Sequence, residues 1–253
     1  MRCLKKKVLN KEKLKIGLIT YRGNPSSGGQ GIYINYLSRA LSDLGHEVTV
    51  ISGPPYPDIR KDIKLVKIPS LDLFSKKNKF FDIKFSKLLS LNNLKEWISA
   101  NTGGFPEPHT FGPRLKKFIE ENADQFDVIH DNQSLCKELI SLQQKLPLVT
   151  TIHHPITKDL EFQLKSTNDF FLKLLIKRWH SFIPRQIKVA KKLKKILVPS
   201  KSSEKDVVKD FSLKEESVEV VYNGIDLSFF YPSEKPYEEY KILSIASLSL
   251  IHI

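Results

Sequence analysis

The sequence predicts an α/β protein in which a parallel sheet is covered by helices on both faces. The first observation is the order of strand, glycine-rich loop, helix and strand within residues 15–52, which is the pattern of a βαβ unit. The second is that the later strands are apolar throughout and alternate with helical segments. Ligands of such sheets bind at the carboxyl ends of the strands, so the residues that follow strands are the candidate site.

The first predicted strand, 15–21, is short and apolar, and the loop after it is dense in Gly, Pro and Ser. In the helix predicted at 30–44 apolar residues recur at helical spacing, and Gly45 follows the last turn. Further strands are predicted at 46–52, 63–69, 126–131, 147–154 and 195–200, and from Ser217 and Tyr240. Further helices are predicted at 134–145, within 162–195 with a break near Pro184, and at 201–210 with Ser200 as N-cap. Residues 71–112 give no usable pattern.

Composition places the chain among globular proteins of one or two domains. It has 253 residues, of which 41 are Lys or Arg and 28 are Asp or Glu, so the net charge is +13. Such an excess favours an anionic partner: nucleotide phosphates, nucleic acid or a lipid surface. Nucleic acid is the least favoured of these partners because no helix-turn-helix, RNP, KH or zinc signature is present. Two cysteines and no signal-peptide or membrane-spanning pattern predict a cytoplasmic protein.

The loop Gly28-Gly29-Gln30-Gly31 lies between the first strand and its helix. Glycines let backbone N–H groups approach an anion, and a helix N-terminus offers unpaired donors, so the loop is a candidate phosphate contact. A tight turn without a ligand is the alternative. The loop is not a P-loop, and Ile34 stands where a dinucleotide fingerprint has its third glycine.

Two further polar groups lie at strand ends. His153 and His154 are the last residues of the strand 147–154, and a histidine there can bind a substrate hydroxyl or stabilise developing charge. Capping of the strand end is the alternative, and a metal site is disfavoured because no spaced partner ligands are present. His130, Asp131 and Asn132 either line the same crevice or satisfy loop backbone groups.

Residues 163–195 carry ten Lys or Arg and one acidic residue, with aromatic and aliphatic residues between them. A basic amphipathic helix of this kind can lie on an anionic bilayer. A helix packed on the core with a solvated lysine face is the alternative.

Taken in order, several segments resemble the N-terminal half of glycosyltransferase family 4, the group 1 nucleotide-sugar transferases with the GT-B fold. The segments are KIGLITYRGNPSSGGQGIYINYLSRALSDLGHEVTVISG, FDVIHDNQSL, PLVTTIHHPI, KKILVPSKSSEKDVVKDF and VEVVYNGIDLSFFYP. The resemblance implies a Rossmann-like acceptor-side domain over 15–232. It also implies transfer of a sugar from a nucleotide-sugar donor to an acceptor hydroxyl, with retention of configuration and without a metal or other cofactor.

The resemblance also assigns residues. It places Gly28, Gly29 and Gly31 against the donor diphosphate and acceptor, and His153 near the transferred sugar as the catalytic residue. Ser200 opens a helix, and Asn223-Gly224-Ile225-Asp226, a plain turn by its own chemistry, leads into a second domain. The remaining predicted donor- or acceptor-binding residues are Arg22, Gln30, His130, Asp131, Asn132 and His154.

The resemblance implies a second Rossmann-like domain that binds most of the donor nucleotide. Residues 1–14 are predicted to be a basic leader, and 233–253 a linker and the first strand of that second domain. We therefore expect a truncated product with little transfer activity alone. The alternatives are an inactive fragment or a peripheral membrane or partner-binding module on the inner face of the membrane, using 163–195 and presenting a lipid-linked acceptor.

Overall fold

The computed structural model describes residues 13–25, 29–78 and 80–232. The chain divides into two compact units, Met1–Tyr222 and Asn223–Ile253. Among the described residues of the first unit the strands form one sheet of seven, in the order β3-β2-β1-β4-β5-β6-β7, and all neighbours are parallel. The predicted fold class is confirmed.

The strands match the predicted positions to within a few residues at their ends. They are β1 (Lys15–Thr20), β2 (Glu47–Ser52), β3 (Lys64–Lys67), β4 (Val128–Asn132), β5 (Leu148–Thr151), β6 (Ile196–Val198) and β7 (Val218–Val220). The strand predicted from Tyr240 lies outside the described residues.

Two layers of helices cover the sheet. Within the described residues the helices are α1 (Gln30–Asp43), α2 (Phe85–Leu88), α3 (Leu91–Asn101), α4 (Glu107–Glu121), α5 (Leu139–Leu142), α6 (Ile156–Lys165), α7 (Phe170–Trp179), α8 (Ile183–Ala190) and α9 (Lys201–Phe211). One core cluster packs α1 on β1 and β2 through Ile34, Leu18 and Val50. A larger cluster packs α4, α5, α8 and α9 against the sheet.

The helix predicted at 134–145 is wrong in length, since only Leu139–Leu142 is α-helical. The carboxylate of Asp131 accepts hydrogen bonds from the backbone N–H groups of Ser134 and Leu135, at 3.2–3.3 Å. Gln133 and Leu135 also have φ near +50°, outside the helical region. The side chain therefore replaces the helical hydrogen bonds of this segment with a local turn.

Residues 71–112, which show no usable pattern in the sequence, contain α2, α3 and the beginning of α4. Pro113 lies inside α4 and removes one backbone donor, yet Phe111, Leu115 and Ile119 are buried at a spacing of four. Burial of this apolar stripe outweighs the unfavourable proline. The break predicted near Pro184 is confirmed, because the last turn of α7 passes into a 3₁₀ segment, His180–Phe182, just before α8.

The described part of the second unit, 223–232, contains a turn. The backbone carbonyl of Asp226 accepts from the N–H groups of Phe229 (3.1 Å) and Phe230 (2.8 Å). The turn therefore begins at Asp226 and not at Asn223-Gly224, which corrects the sequence-based position.

No helix in the described ranges is both long enough and apolar enough to cross a bilayer.

Candidate functional site

The carboxyl ends of β1, β4, β5 and β6 and the beginning of α1 meet along one edge of the sheet, which we call the rim. The register brings them level, since Ile19 of β1 is opposite Asp131 of β4, and Asn132 of β4 is opposite Thr151 of β5. Four predicted residues are linked here by hydrogen bonds: Gln30, Asn132, His153 and, through its neighbour Ser203, Ser200.

Asn132 connects α1 to His153. Its Nδ2 donates to the backbone carbonyl of Gln30 at 3.4 Å, and its Oδ1 lies 2.6 Å from Nε2 of His153. Because an amide oxygen only accepts, this arrangement assigns the imidazole proton to Nε2. No described residue forms a hydrogen bond with Nδ1, so that atom keeps its lone pair.

His153 is neutral at physiological pH. Its partial burial, with a smaller contribution from the charge of His154, lowers the pKa of its imidazole from 6.5 to about 4. A neutral imidazole with its proton on Nε2 offers an acceptor, Nδ1, to a ligand hydroxyl. This chemistry suits hydroxyl recognition better than stabilisation of an anion.

Besides the hydrogen bond with Asn132, three contacts fix the position of His153. Its backbone N–H donates to Oε1 of Gln133 at 2.8 Å, and its carbonyl accepts from Oγ of Ser203 at 3.2 Å. The ring of Tyr33 meets the imidazole edge-to-face at 4.6 Å between centroids. Ser203 lies in the first turn of α9, where its N–H donates to Oγ of Ser200, the confirmed N-cap. These contacts connect the end of β5 to α1, to the loop that follows β4 and to α9.

His130 lies behind this arrangement and does not contact His153 by a hydrogen bond. Its Nε2 is 2.7 Å from Oγ1 of Thr151, which also lies 3.5 Å from the hydroxyl of Tyr33. Burial, with a smaller contribution from His153, lowers the pKa of His130 to about 4. Its contacts with the strand end match the structural alternative of the sequence analysis.

Asp131 does not face the rim, which corrects its prediction as a ligand-binding residue. Its side chain is fully buried, and its carboxylate is held by the hydroxyl of Ser134 together with two backbone N–H groups. Burial raises its pKa to about 6 against the opposing effect of these hydrogen bonds. Its role is to shape the loop that carries Gln133.

The glycine loop leads directly into α1. Gly28 lies outside the described residues, Gly29 has φ +69° and precedes the first helical residue, and Gly31 is buried. A Cβ on Gly31 would collide with the backbone carbonyl oxygen of Asn24. The close approach of the loop to α1 therefore requires glycine at position 31.

The side chain of Gln30 forms a hydrogen bond with the side chain of Tyr21, the residue after β1. Burial, and secondarily the charge of Glu107, raises the pKa of Tyr21 to about 12. Tyr21 therefore stays a neutral phenol.

Arg22, predicted to bind the ligand, is engaged elsewhere. Its Nη1 lies 3.5 Å from Oε2 of Glu107 at the beginning of α4, and its guanidinium lies 5.8 Å from the ring centroid of Phe74. No hydrogen bond in the described residues joins Arg22 to His153. The structure therefore places Arg22 beside α4 and not in the hydrogen-bonded group.

His154 is exposed and points to α6, where its Nε2 lies 3.0 Å from Oδ2 of Asp159. This hydrogen bond raises its pKa. Asn223, Gly224 and Asp226 belong to the second unit. Among the described residues no three His, Cys, Asp or Glu side chains are arranged to hold a metal ion.

The sequence analysis missed Tyr33, Gln133, Thr151 and Ser203, which hold the rim together. Tyr33 and Ser203 each lie three residues beyond a predicted site residue on the same helix end, and that spacing could have indicated them. Gln133 carries no such signal, because its orientation depends on the turn imposed by Asp131.

Comparison with known proteins now places the chain. The sequence model of Glycosyltransferase Family 4 matches residues 27–229. The chain belongs to Glycosyltransferase Family 4. The matched segment begins after β1, contains Gln30, Asn132 and His153 of the rim, and ends within the second unit.

A curated relative of this family member is the MMP alpha-(1->4)-mannosyltransferase of Mycolicibacterium hassiacum. The two are 38% identical over 236 residues, which cover 92% of this chain and 57% of that protein. Among solved structures, the crystal structure of Anabaena Alr3699/HepE in complex with UDP and glucose has a TM-score of 0.51 and 14% identity, covering 87% of this chain and 47% of that one. The chain thus spans a little over half the length of its curated relative.

Proposed function

We propose that this chain forms the acceptor-side part of a nucleotide-sugar-dependent glycosyltransferase, in which His153 binds a hydroxyl of the reacting sugar or acceptor. The observation that carries the proposal is the chemistry around the imidazole. The side chains that contact or hold His153 are uncharged hydrogen-bonding or aromatic groups: Tyr33, Asn132, Gln133 and Ser203. Uncharged polar groups beside an aromatic ring suit a neutral, hydroxyl-rich ligand.

In the proposed reaction the acceptor hydroxyl oxygen bonds to the anomeric carbon of the donor sugar. The bond from that carbon to the diphosphate oxygen breaks, its electron pair leaves with the nucleoside diphosphate, and the hydroxyl proton passes to the departing diphosphate. The contribution of this chain is positioning, which brings the hydroxyl and the beginning of α1 against the sugar. By family resemblance, the proposal includes retention of configuration and transfer without a bound metal. Undiminished turnover in EDTA would support transfer without a metal.

The identity of the curated relative suggests mannose as the first sugar to test. Turnover is measured as acceptor-dependent release of nucleoside diphosphate from GDP-mannose and, in parallel, from UDP-glucose, using the longest expressed form of the protein. We expect His153→Ala to lower kcat/KM about 100-fold, the effect of removing one positioned catalytic contact.

The matched control is His46→Ala, which removes a histidine beside the amino end of β2, at the opposite edge of the sheet. Its Nδ1 accepts a backbone hydrogen bond from Leu14, so the variant also controls for loss of a histidine contact. Equal activity of the His153 and His46 variants would refute the role of the rim.

A second candidate function is favoured by exposed apolar side chains: we propose that residues 163–195, with the helices beside them, lie on an anionic membrane surface. On α7 the side chains of Phe170 and Phe171 are 73% and 74% exposed, and those of Leu174 and Leu175 are also exposed. Lys173 lies between them in sequence, and Lys177 follows two residues after Leu175. Aromatic side chains among lysines suit the boundary between anionic head groups and acyl chains.

The neighbouring helices extend this surface. Arg178 of α7 donates to Oγ1 of Thr102, just after α3, at 2.8 Å, so α3 and α7 are adjacent. Phe85 of α2 and Leu91 of α3 are 78% and 74% exposed. Such a surface would bring the rim to a lipid-linked acceptor.

Sedimentation with vesicles tests the membrane proposal. We expect binding to vesicles that contain phosphatidylglycerol, no binding to pure phosphatidylcholine, and loss of binding in Phe170→Ser/Phe171→Ser. Val221→Ser/Tyr222→Ser is the control, because it also removes two exposed apolar side chains. Equal binding by both double variants would refute this surface.

A further inference from the structure

A cavity of about 750 Å³ lies on the outer side of the helical layer, between α3, α4 and α8, and we call it the outer groove. Residues 135–140, between β4 and the middle of α5, form one of its walls. Six of its lining side chains are positively charged: Lys95, Lys137, Arg178, Arg185, Lys188 and Lys192. Glu138 is the one acidic lining residue among the described positions.

Few of these charges are compensated. Lys137 lies 3.9 Å from Glu138, and Arg178 is held by hydroxyl groups of Thr102, Ser99 and Ser181. Within the described ranges no carboxylate lies within ion-pair distance of the other four cations of the groove. Like charges gathered in a concave surface raise the local potential and attract an anion.

Glu138 offsets only a small part of the positive charge of the groove. Its side chain is 7% exposed and packs against Gly112 of α4, and no described group donates a hydrogen bond to its Oε2. Burial raises the pKa of this carboxyl group. Even when ionised, Glu138 offsets at most one of the six positive charges that line the groove.

Three different elements contribute side chains to the lining of the groove: His109 of α4, Lys137 before α5 and Arg185 of α8. Burial, and secondarily the charges of Arg185 and Lys137, lowers the pKa of His109 to about 4. The imidazole is therefore neutral and carries one N–H donor. The elements that carry these side chains are fixed by the buried residues Leu115, Leu139 and Val189. His109 and Arg185 are thus carried by packed helices, whereas the side chain of Lys137 is 82% exposed.

We propose that the outer groove binds a phosphate-bearing anion between His109, Lys137 and Arg185. A guanidinium recognises two phosphate oxygens at once, and an ammonium and an imidazole N–H complete the contacts. Lys188 and Lys192, further along α8, compensate additional charge. The volume lies in the range of small-molecule sites and exceeds the need of a single phosphate ion, so an oligophosphate or a phosphorylated sugar fits. This site is independent of the proposed transferase function.

The two tryptophans of the chain offer a readout, because Trp97 lies in α3 and Trp179 in α7, and both helices contribute lining residues to the groove. Sodium phosphate, pyrophosphate and tripolyphosphate are titrated into the full chain at constant ionic strength, and fluorescence and Tm are recorded. We expect a saturable change with pyrophosphate in the micromolar to low millimolar range and a rise in Tm. Absence of saturation up to about 10 mM would overturn the proposal.

Lys137→Gln/Arg185→Gln is expected to weaken pyrophosphate binding at least tenfold. Lys205→Gln/Lys209→Gln, which removes the same charge from exposed positions of α9, is expected to bind as the unmodified chain does. Lys188→Gln, an exposed single change, provides a variant whose folding is not at risk and should weaken binding two- to fivefold. Equal weakening in the groove and α9 double variants would mean charge screening and would refute the site.

Vesicles separate the two sources of phosphate. If pyrophosphate binds in solution and also displaces the chain from phosphatidic acid vesicles, the groove takes phosphate groups of either origin, which supports the proposal. Vesicle binding that pyrophosphate does not displace, together with no binding in solution, overturns it and assigns the interaction to the apolar surface of α7.

Discussion

The rim and the outer groove each contain a histidine that burial keeps neutral, yet their surroundings differ. His153 is surrounded by amide, hydroxyl and aromatic groups, and its free Nδ1 can only accept a hydrogen bond. His109 has Arg185 and Lys137 as its charged neighbours. The same protonation state therefore serves two chemistries: the rim suits a neutral hydroxyl, whereas the groove suits an anion. The neighbours of a histidine, and not its pKa alone, decide its ligand.

The largest effect on this difference between the rim and the outer groove is expected from Asn132→Asp. A carboxylate 2.6 Å from Nε2 of His153 stabilises the imidazolium, so we expect the pKa of His153 to rise from about 4 to above 6.5. Nδ1 then becomes a donor, and we expect transfer activity to fall at least 100-fold at pH 6. NMR titration of the imidazole resonances checks the pKa. A value that stays near 4 would contradict the assignment of the hydrogen bond.

Acidification should destabilise the fold through the same histidines. The folded-state pKa values of His109, His130 and His153 are about 4, below the ordinary 6.5, so the unfolded chain binds more protons as pH falls from 6.5 to 4. Asp131, Glu138 and His154 oppose this trend, since their pKa values are raised in the folded state. After discounting for partial exposure, we expect a net loss of roughly 3–5 kcal/mol in the free energy of unfolding.

Urea denaturation at pH 7, 6, 5 and 4 measures the loss. His109→Gln should reduce the pH dependence, because it removes one of the three groups whose pKa is lowered in the folded chain. Stability that rises on acidification through this range would show that the buried histidines are not the dominant groups.

Gly31→Ala tests whether backbone packing builds the rim. The new Cβ would meet the carbonyl oxygen of Asn24, so the loop must move, at a cost of about 1–3 kcal/mol in unfolding free energy. Gly45→Ala is the comparison, because nothing surrounds that position and only its φ of +92° opposes a side chain. We expect a larger decrease in Tm for position 31. Equal decreases would mean that backbone conformation, and not space, limits both sites.

The smallest expected effect is a gain in stability from the groove variant. Lys137→Gln/Arg185→Gln removes repulsion between cations, so we expect unfolding free energy to rise by a few tenths of a kcal/mol at low salt and the pKa of His109 to rise partway toward 6.5. Denaturation at 20 mM and 500 mM salt measures the first effect. A variant that is less stable at low salt would show that these charges are compensated in the folded protein.

The strands and the helix after the glycine loop could be predicted because their signals are local: apolar runs, helical spacing and glycine. The segment around α4 could not, since Pro113 masks a helix that only burial against the sheet stabilises. The rim residues were predicted as single positions, but their connections join residues 21 or 102 apart in the chain. Such connections leave no local pattern. The hydrogen bonds of Asp131 are local, but its burial depends on the pairing of β4 with β1 and β5, which the sequence does not display. The roles of the rim residues in binding stay predictions.

Gly31 also has a consequence for heredity. Any single-base change in a glycine codon that alters the amino acid introduces a Cβ or ends the chain. Because a Cβ at this position collides with the backbone of Asn24, every amino-acid change at this codon lowers stability. In a library of random single-base variants, position 31 should therefore be depleted of every replacement, including the smallest, whereas the open position of Gly224 should retain alanine and serine.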